Sequence, residues 1–440
     1  MPMWKLATEW RMEFPEVLDE EGNYIGFDLV IANPPYIYSS DDSFSEEEKR
    51  YFAKTYPLSR YQANTFGLFL ELGMQLINEN GHISFIIPNS FLTIKQYEVL
   101  REYLIENTSD LYILNSKDKI FEDANIDNCI IDYSVSNPSS VKIAEMEHGE
   151  INEIATVNPS YFKDSSIINI SSLRNTDTSS TDEPWNEVER IMSIINENSK
   201  PLDPQFGTVK DGLKAYERGK GTPKQPVDKE EHKAFVKSRI FYSSEKKEDD
   251  YRPFLAGDNI DRYSIHWDNT YLKYGKHLAA PRDTKLFEGE RLLIRRIPAR
   301  MPYSLVATYT NENYVHEQSI ENITNLTVSP YFLLGVINSK IETFWAINEF
   351  DMLQRKTFPQ LRLYQIKELP IPNATKEKQE EIESLVKEML DLTSKDDVNN
   401  KLIDSLNNKI DEQVMNLYGL SSQDKKVVND FLSENRNNNK

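Results

Sequence analysis

The tetrapeptide Asn33-Pro34-Pro35-Tyr36 closes a short apolar run, Phe27-Asp28-Leu29-Val30-Ile31-Ala32. Two consecutive prolines fix φ and remove two backbone donors, so the local carbonyls stay available as acceptors. Asn33 adds a side-chain acceptor, and Tyr36 adds a flat aromatic face. A planar amine entering such a pocket would give one hydrogen to the Asn33 side-chain oxygen and the other to the Pro34 carbonyl, with Tyr36 stacked on its ring. Two acceptors draw a conjugated nitrogen lone pair towards a tetrahedral nucleophile, as methylation of an exocyclic amino group requires. Such a reaction rests on positioning and electrostatics, without a covalent intermediate or a strong base. Asn-Pro is also a common strand-ending turn, and the four residues alone divide evenly between the two readings.

The elements around the tetrapeptide read as α/β over residues 1–145. Phe27–Ala32 is expected as a buried parallel strand. Residues 66–77 carry helical spacing, with Asn80-Gly81 as the stop, and His82–Pro88 reads as a second buried strand. A helix over Tyr97–Asn107 and strands near Leu111–Leu114 and Cys129–Ser134 complete the rhythm of a doubly wound sheet. Residues 146–200, rich in Ser, Asn, Thr and Asp, read as a linker with one helix over Trp185–Glu197. A strand-rich α+β region follows over 201–372. From 373 the apolar spacing predicts a helical hairpin turning at 394–397, then a disordered tail, SENRNNNK.

A single cysteine, Cys129, among 440 residues excludes internal disulfides and cysteine-clustered zinc, and makes a reducing, cytoplasmic setting the default. No metal site is expected. No apolar run reaches the roughly 20 residues of a membrane span. Cytosine-C5 chemistry needs a cysteine nucleophile, usually after proline, whereas Cys129 follows Asn128 inside an apolar run. Net charge is −20, which disfavours a generic nucleic-acid binder, but residues 270–305 hold eight bases against three acids. Glu46-Glu47-Glu48-Lys49 reads as a solvated helix start and not as a nuclease motif.

Taken in order, these segments resemble the gamma-class adenine-N6 DNA methyltransferases of the TaqI-like and type IIG restriction-modification kind. Glu13–Val17 matches their lead-in and Phe27–Tyr36 their catalytic motif IV. Asn64–Glu71 is similar to motif V, and the resemblance implies that Phe69, like Asn33, lies at the cofactor. Lys119–Ala124 followed by Cys129–Ile131 resembles motif VIII. The resemblance implies that Phe121 holds the face of a flipped adenine opposite Tyr36. For Phe69 or Phe121 taken alone, core packing is the plainer explanation. Gly81–Leu92 and Tyr97–Leu104 are similar to the family's next strand and helix, and agreement of order, spacing and type over these five segments is what favours the site. Gly207–Pro223, Arg252–Tyr263, Tyr271–Arg282, Asn322–Phe344 and Leu369–Pro372 look like the family's target-recognition domain. Lys214, Arg218, Lys220, Arg282, Arg295, Arg296, Arg300, Arg355 and Lys356 are its candidate contacts to double-stranded DNA, most of them expected on phosphate.

The family implies S-adenosylmethionine, held by a Gly-rich turn and an acidic strand end that precede motif IV. Only 32 residues stand before Asn33, and the single Gly-x-Gly, Gly219-Lys220-Gly221, follows no strand and opens no helix. The cofactor site is therefore expected to be incomplete in this chain: either a separate chain supplies the N-terminal motifs, or the chain is a fragment of a longer ancestral enzyme. The resulting expectation is a partial Rossmann-like methyltransferase sheet, then an α+β target-recognition domain, then a helical segment. The expected function is the adenine-methylating component of a restriction-modification or phage-defence system, including the BREX kind. The alternatives are a DNA-specificity subunit without catalysis and an amine methyltransferase acting on RNA or protein.

Overall fold

In the computed structural model, the apolar run forms strand β1 (Phe27–Ala32), but it lies at the border of its sheet. Residues 10–37, 44–58, 64–92, 94, 97–121, 127–135, 140–162, 168, 170–173, 187–350, 360–395 and 399–437 are described. They fall into two units, residues 1–186 with 350–357 and residues 187–349 with 358–440.

In the first unit β1 runs parallel to β2 (Ile77–Pro88), Ala32 opposite Phe85. Helices α1 (Glu46–Thr55), α2 (Thr65–Leu76) and α3 (Glu98–Asn107) and strands β3 (Ser109–Ser116), β4 (Asn128–Ser134), β5 (Val141–Glu147) and β6 (Glu150–Val157) follow. The sheet order is β1-β2-β4-β3-β5-β6. β1 and β2 are parallel, as are β3 and β5, while β4 and β6 run against their neighbours. The sheet is thus a mixed one within the α/β class expected of a partial Rossmann-like methyltransferase sheet. Phe66, Leu70, Ile83, Phe85, Leu100, Ile113 and Ile131 are among the residues that fill the core on it.

Three expectations are corrected here. β1 is not buried: Leu29 is 57% and Ile31 73% exposed on one face, while Val30 and Ala32 on the other face pack against the core. Asn80-Gly81 does not stop α2 but lies inside β2, which starts at Ile77. There a side chain at Gly81 would stand 2.8 Å from the Phe27 carbonyl oxygen and 2.9 Å from that of Asp28. Finally, part of the expected linker is sheet, since β5 and β6 extend it on the far side of β3. Glu46–Lys49 opens α1 behind a Ser45–Glu48 capping box, as a solvated helix start should.

The second unit begins with α4 (Glu187–Glu197). Among its strands are β7 (Thr208–Asp211), β8 (Tyr242–Ser243), β9 (Tyr251–Leu255), β10 (Tyr271–Lys273), β11 (Arg291–Arg295), β12 (Ala307–Thr310), β13 (Val315–His316) and β14 (Ile320–Thr324). They form two four-stranded sheets, β12-β11-β14-β7 and β13-β9-β10-β8. Helices α5 (Pro330–Ile337), apolar and mostly buried, and α6 (Lys340–Phe350), buried from Ile341 to Asn348 with Glu342, Thr343 and Asn348 among its buried residues, follow. The C-terminal helices α7 (Lys376–Thr393) and α8 (Asn400–Leu417) match the expected hairpin. The tail forms a third helix, α9 (Ser422–Asn437), over much of what was expected to be disordered. It buries Val428, Phe431 and Leu432, a stripe too short to stand out from the polar residues around it. No described helix is long and apolar enough to cross a membrane.

Candidate active site

Strand directions place the candidate residues on one edge. β1, β2 and β3 all end there and β4 begins there, so Tyr36, Asn89, Phe121 and Asn128 belong to the loops of the sheet's carboxyl edge, where open α/β sheets bind ligands.

The Asn33–Tyr36 segment is held from two sides. At the start of α2, Asn64 caps the helix through the Phe66 amide. The next residue, Thr65, donates its hydroxyl to the Pro35 carbonyl and accepts the Ile37 amide at 3.0 Å. The Thr65 amide in turn donates to the Ile37 carbonyl at 3.0 Å. From the sheet, the Tyr36 hydroxyl donates to the Ile86 carbonyl at 3.0 Å and receives the Asn128 side-chain amide at 3.2 Å. Asn33 Oδ1 stands 3.3 Å from the same hydroxyl, as a second acceptor for its one proton. Burial pushes the Tyr36 hydroxyl up to about 12, so it remains neutral near pH 7. Its ring meets Phe66 edge-on at 6.4 Å. Pro34 is buried and Asn33 is exposed, and among the described residues no group donates to the Pro34 carbonyl. Of the two acceptors expected to bind an amine, the Pro34 carbonyl thus has no donor among the described residues and Asn33 Oδ1 shares the Tyr36 proton, while the neighbouring carbonyl of Pro35 is taken.

Thr65 and Asn128 escaped the sequence reading. An Asn-Thr pair before an apolar helix is an N-cap signal, but nothing in it says that the Thr hydroxyl reaches back to Pro35. Asn128 is 2% exposed at the first position of β4, and an asparagine beginning a strand reads as a turn residue. Asn89 and Asn115, also buried at this edge, pair through their side chains at 3.3 Å.

Phe69 is 38% exposed, whereas Phe66, Leu68 and Leu70 of the same helix are buried. Core packing therefore does not account for Phe69. Phe121 is half-buried in the loop after β3. Cys129 is wholly buried, burial pushes its thiol up, and it offers no nucleophile. Among the described residues no cluster could hold a metal ion.

In the second unit the predicted cations divide. The Arg296 guanidinium is clamped between Glu321 and Asp211, at 2.5 Å from the latter, across strands β14 and β7. Arg282 donates to the Gly212 carbonyl at 3.0 Å, and Arg295 to that of Ile297 at 2.8 Å. These three side chains serve the domain's own folding contacts. So does Arg291, which is fully buried and bonded to three carbonyls. The basic stretch 270–305 is accordingly less cationic at the surface than its composition suggests. Lys214 pairs with Glu217 at 2.9 Å, and Arg300 is exposed. Arg218 and Lys220 are exposed on the turn over 217–225. That turn is tied to a second loop through the Thr222 amide and the Lys276 carbonyl at 2.7 Å, which brings in the exposed Lys224 and Lys276. Arg355 and Lys356 lie outside the described residues.

Comparison with known proteins agrees with this division. Residues 5–121 match the Eco57I restriction-modification methylase family, and residues 252–371 match the TaqI-like C-terminal specificity domain. The two matches fall on separate stretches of the chain, the first similar to a methylase segment and the second to a specificity domain. A protein of Methanocaldococcus jannaschii, named as a type II restriction enzyme and methyltransferase, is 25% identical over 431 residues, 97% of this chain and 33% of the relative. The adenine-specific methyltransferase BrxX of Escherichia coli is 27% identical over 113 residues, 24% of this chain and 9% of the relative. The solved Type IIL restriction-modification enzyme MmeI, in complex with DNA, shares the fold with a TM-score of 0.59 and 13% identity. That match covers 93% of this chain and 57% of MmeI. The chain thus spans about a third of the length of the first of these relatives.

Proposed function

We propose that the chain supplies the target-adenine pocket and the DNA-reading domain of a site-specific adenine-N6 DNA methyltransferase of a restriction-modification or phage-defence system. The observation that carries this reading is the Asn33–Tyr36 segment, fixed by Thr65 and Asn128 with the Pro34 carbonyl left open. The adenine amino group is a weak nucleophile because its lone pair is delocalised into the ring. Asn33 Oδ1 and the Pro34 carbonyl accept its two hydrogens and draw the lone pair towards the reacting direction. Tyr36 stacks on one face of the extruded base and Phe121 on the other, which offsets part of the cost of unstacking it. The neutral Tyr36 hydroxyl orients Asn33 and takes no proton. S-adenosylmethionine, when bound, supplies an electrophilic methyl group, and the exposed Phe69 ring suits the face of its adenine. Arg218, Lys220, Lys224 and Lys276 contact phosphate.

We assign the rest of the cofactor pocket, with its Gly-rich turn, to a further segment, carried by a separate chain or by a longer form of this one. The edge of β1, unpaired among the described residues and with Leu29 and Ile31 exposed, supports this part of the reading, because such an edge is suited to an added strand. Co-expression with the neighbouring reading frame, followed by mapping of methylated adenines in the host genome, tests the proposal. We expect methylation in one sequence context, abolished by Asn33→Ala. Methylation that survives Asn33→Ala would overturn the site. Sequence-specific DNA binding without methylation would favour the specificity-subunit reading. Micromolar binding of S-adenosylmethionine by the pure chain, measured by calorimetry, would overturn the need for a completing segment.

A further inference from the structure

The loop that carries Phe121 is tied to a hairpin that lies outside both matched segments. β5 and β6 are joined by two residues, His148 and Gly149, with φ of 55° and 76°. Positive φ at both positions is the type I′ geometry that suits a two-residue hairpin, but a left-handed histidine costs about 1 kcal/mol. Asp118 meets this turn from the loop after β3. Its Oδ1 accepts the His148 amide at 2.9 Å and its Oδ2 the Gly149 amide at 2.8 Å. Consecutive amides converging on one carboxylate form an anion-binding nest. Further bonds fix the loop on the same side. The Lys117 amide donates to the Met146 carbonyl at 2.9 Å. Lys117 Nζ stands 3.3 Å from both Glu145 and Glu147. Ser116 Oγ accepts the Asp118 amide at 3.2 Å and donates to the Asp118 carbonyl at 2.9 Å. Every one of these bonds lies within five residues of Phe121 on the loop side.

We propose that Asp118 is a positioning residue that anchors the Phe121 loop to the His148-Gly149 turn and so sets the second wall of the base pocket. The proposal rests on the reading of Phe121 as that wall. The hairpin is then a buttress for target binding, and Asp118 acts on the base only through Phe121.

The test uses the full chain and a single-stranded thymidine oligonucleotide holding one 2-aminopurine, a fluorescent adenine analogue that need not be flipped from a duplex. We expect Asp118→Ala to weaken binding roughly tenfold, as loss of two charge-assisted bonds would. Asp118→Asn should recover part of it, because its remaining oxygen still accepts one amide. Phe121→Leu should weaken binding too, and the Asp118→Ala/Phe121→Leu double variant should bind no worse than Phe121→Leu alone. Hydrogen exchange should show the His148 and Gly149 amides losing protection in Asp118→Ala. Additive losses in the double variant, or unchanged affinity in Asp118→Ala, would overturn the positioning role. If Phe121→Leu binds like wild type, the reading of Phe121 as a wall fails. The anchor itself fails only if those two amides exchange in Asp118→Ala as they do in wild type.

Discussion

Replacing Thr65 by valine keeps the shape of the side chain and removes its hydroxyl, so it isolates the clamp on the Asn33–Tyr36 segment. Thr65 is 6% exposed, and valine fills the same volume. Two hydrogen bonds vanish, the one donated to the Pro35 carbonyl and the one accepted from the Ile37 amide. A net bond contributes about 1 kcal/mol, which gives an upper figure of about 2 kcal/mol. Pro35 and Ile37 are exposed enough for water to replace part of this, so about 1–2 kcal/mol is the working range. The bond from the Thr65 amide to the Ile37 carbonyl survives, and the turn should loosen without unfolding. If the turn's geometry is realised in the transition state, that loss appears in the rate as roughly 5- to 30-fold. The assay is kcat/KM for methyl transfer to DNA by the completed enzyme, beside urea unfolding of the chain. Thr65→Ser, which keeps the hydroxyl, should stay near wild type. A Thr65→Val variant within twofold of wild type, or a Thr65→Ser variant equally impaired, would refute the clamp.

Three further outcomes follow from the structure. Phe69→Ala should cost well under about 1 kcal/mol of stability yet weaken cofactor binding by the completed enzyme, whereas Phe66→Ala, in the core, should cost about 3–5 kcal/mol; urea melts and calorimetry separate the two. Burial pushes the Glu321 carboxyl from its ordinary 4.5 up to about 7, with Arg296 opposing the shift. A raised carboxyl contributes stability that is present below about pH 4.5 and lost as pH rises through about 7, so the thermal midpoint of wild type relative to Glu321→Gln should fall between pH 5 and pH 8; a difference that grows with pH would contradict it. Lys220→Ala and Lys276→Ala should each reduce the slope of log K against log salt for duplex DNA by about one and leave the melting temperature alone, while Arg296→Ala should lower the melting temperature.

Much of the site was legible because its chemistry is local in sequence. Asn33 through Tyr36 are contiguous, and the period of the neighbouring strands and helices placed them at a strand end. What sequence could not give was the set of groups that reach the tetrapeptide from elsewhere. Thr65 is 30 residues from Pro35, and Asn128 is 92 from Tyr36, so neither spacing carries a local signal. The recognition domain misled in the opposite way. Its cations were counted as surface charge, yet Arg296 is consumed between Glu321 and Asp211, which cross-strand pairing sets side by side, and Arg291 is consumed by three backbone carbonyls.

β1 shows how a mismatch between sequence and structure can itself be informative. Phe27–Ala32 is apolar on both faces, a pattern that marks strands flanked and covered on every side. The structure instead gives exposures of 57% and 73% to Leu29 and Ile31. Asp28 pairs with Asn78 at 2.7 Å near the start of the strand, so β1 is held in register by β2 even though its outer border is open. A strand patterned for burial and held as though buried, yet exposed, has the composition expected where a neighbour docks. On that argument Leu29 and Ile31 mark the face on which a neighbouring segment would dock.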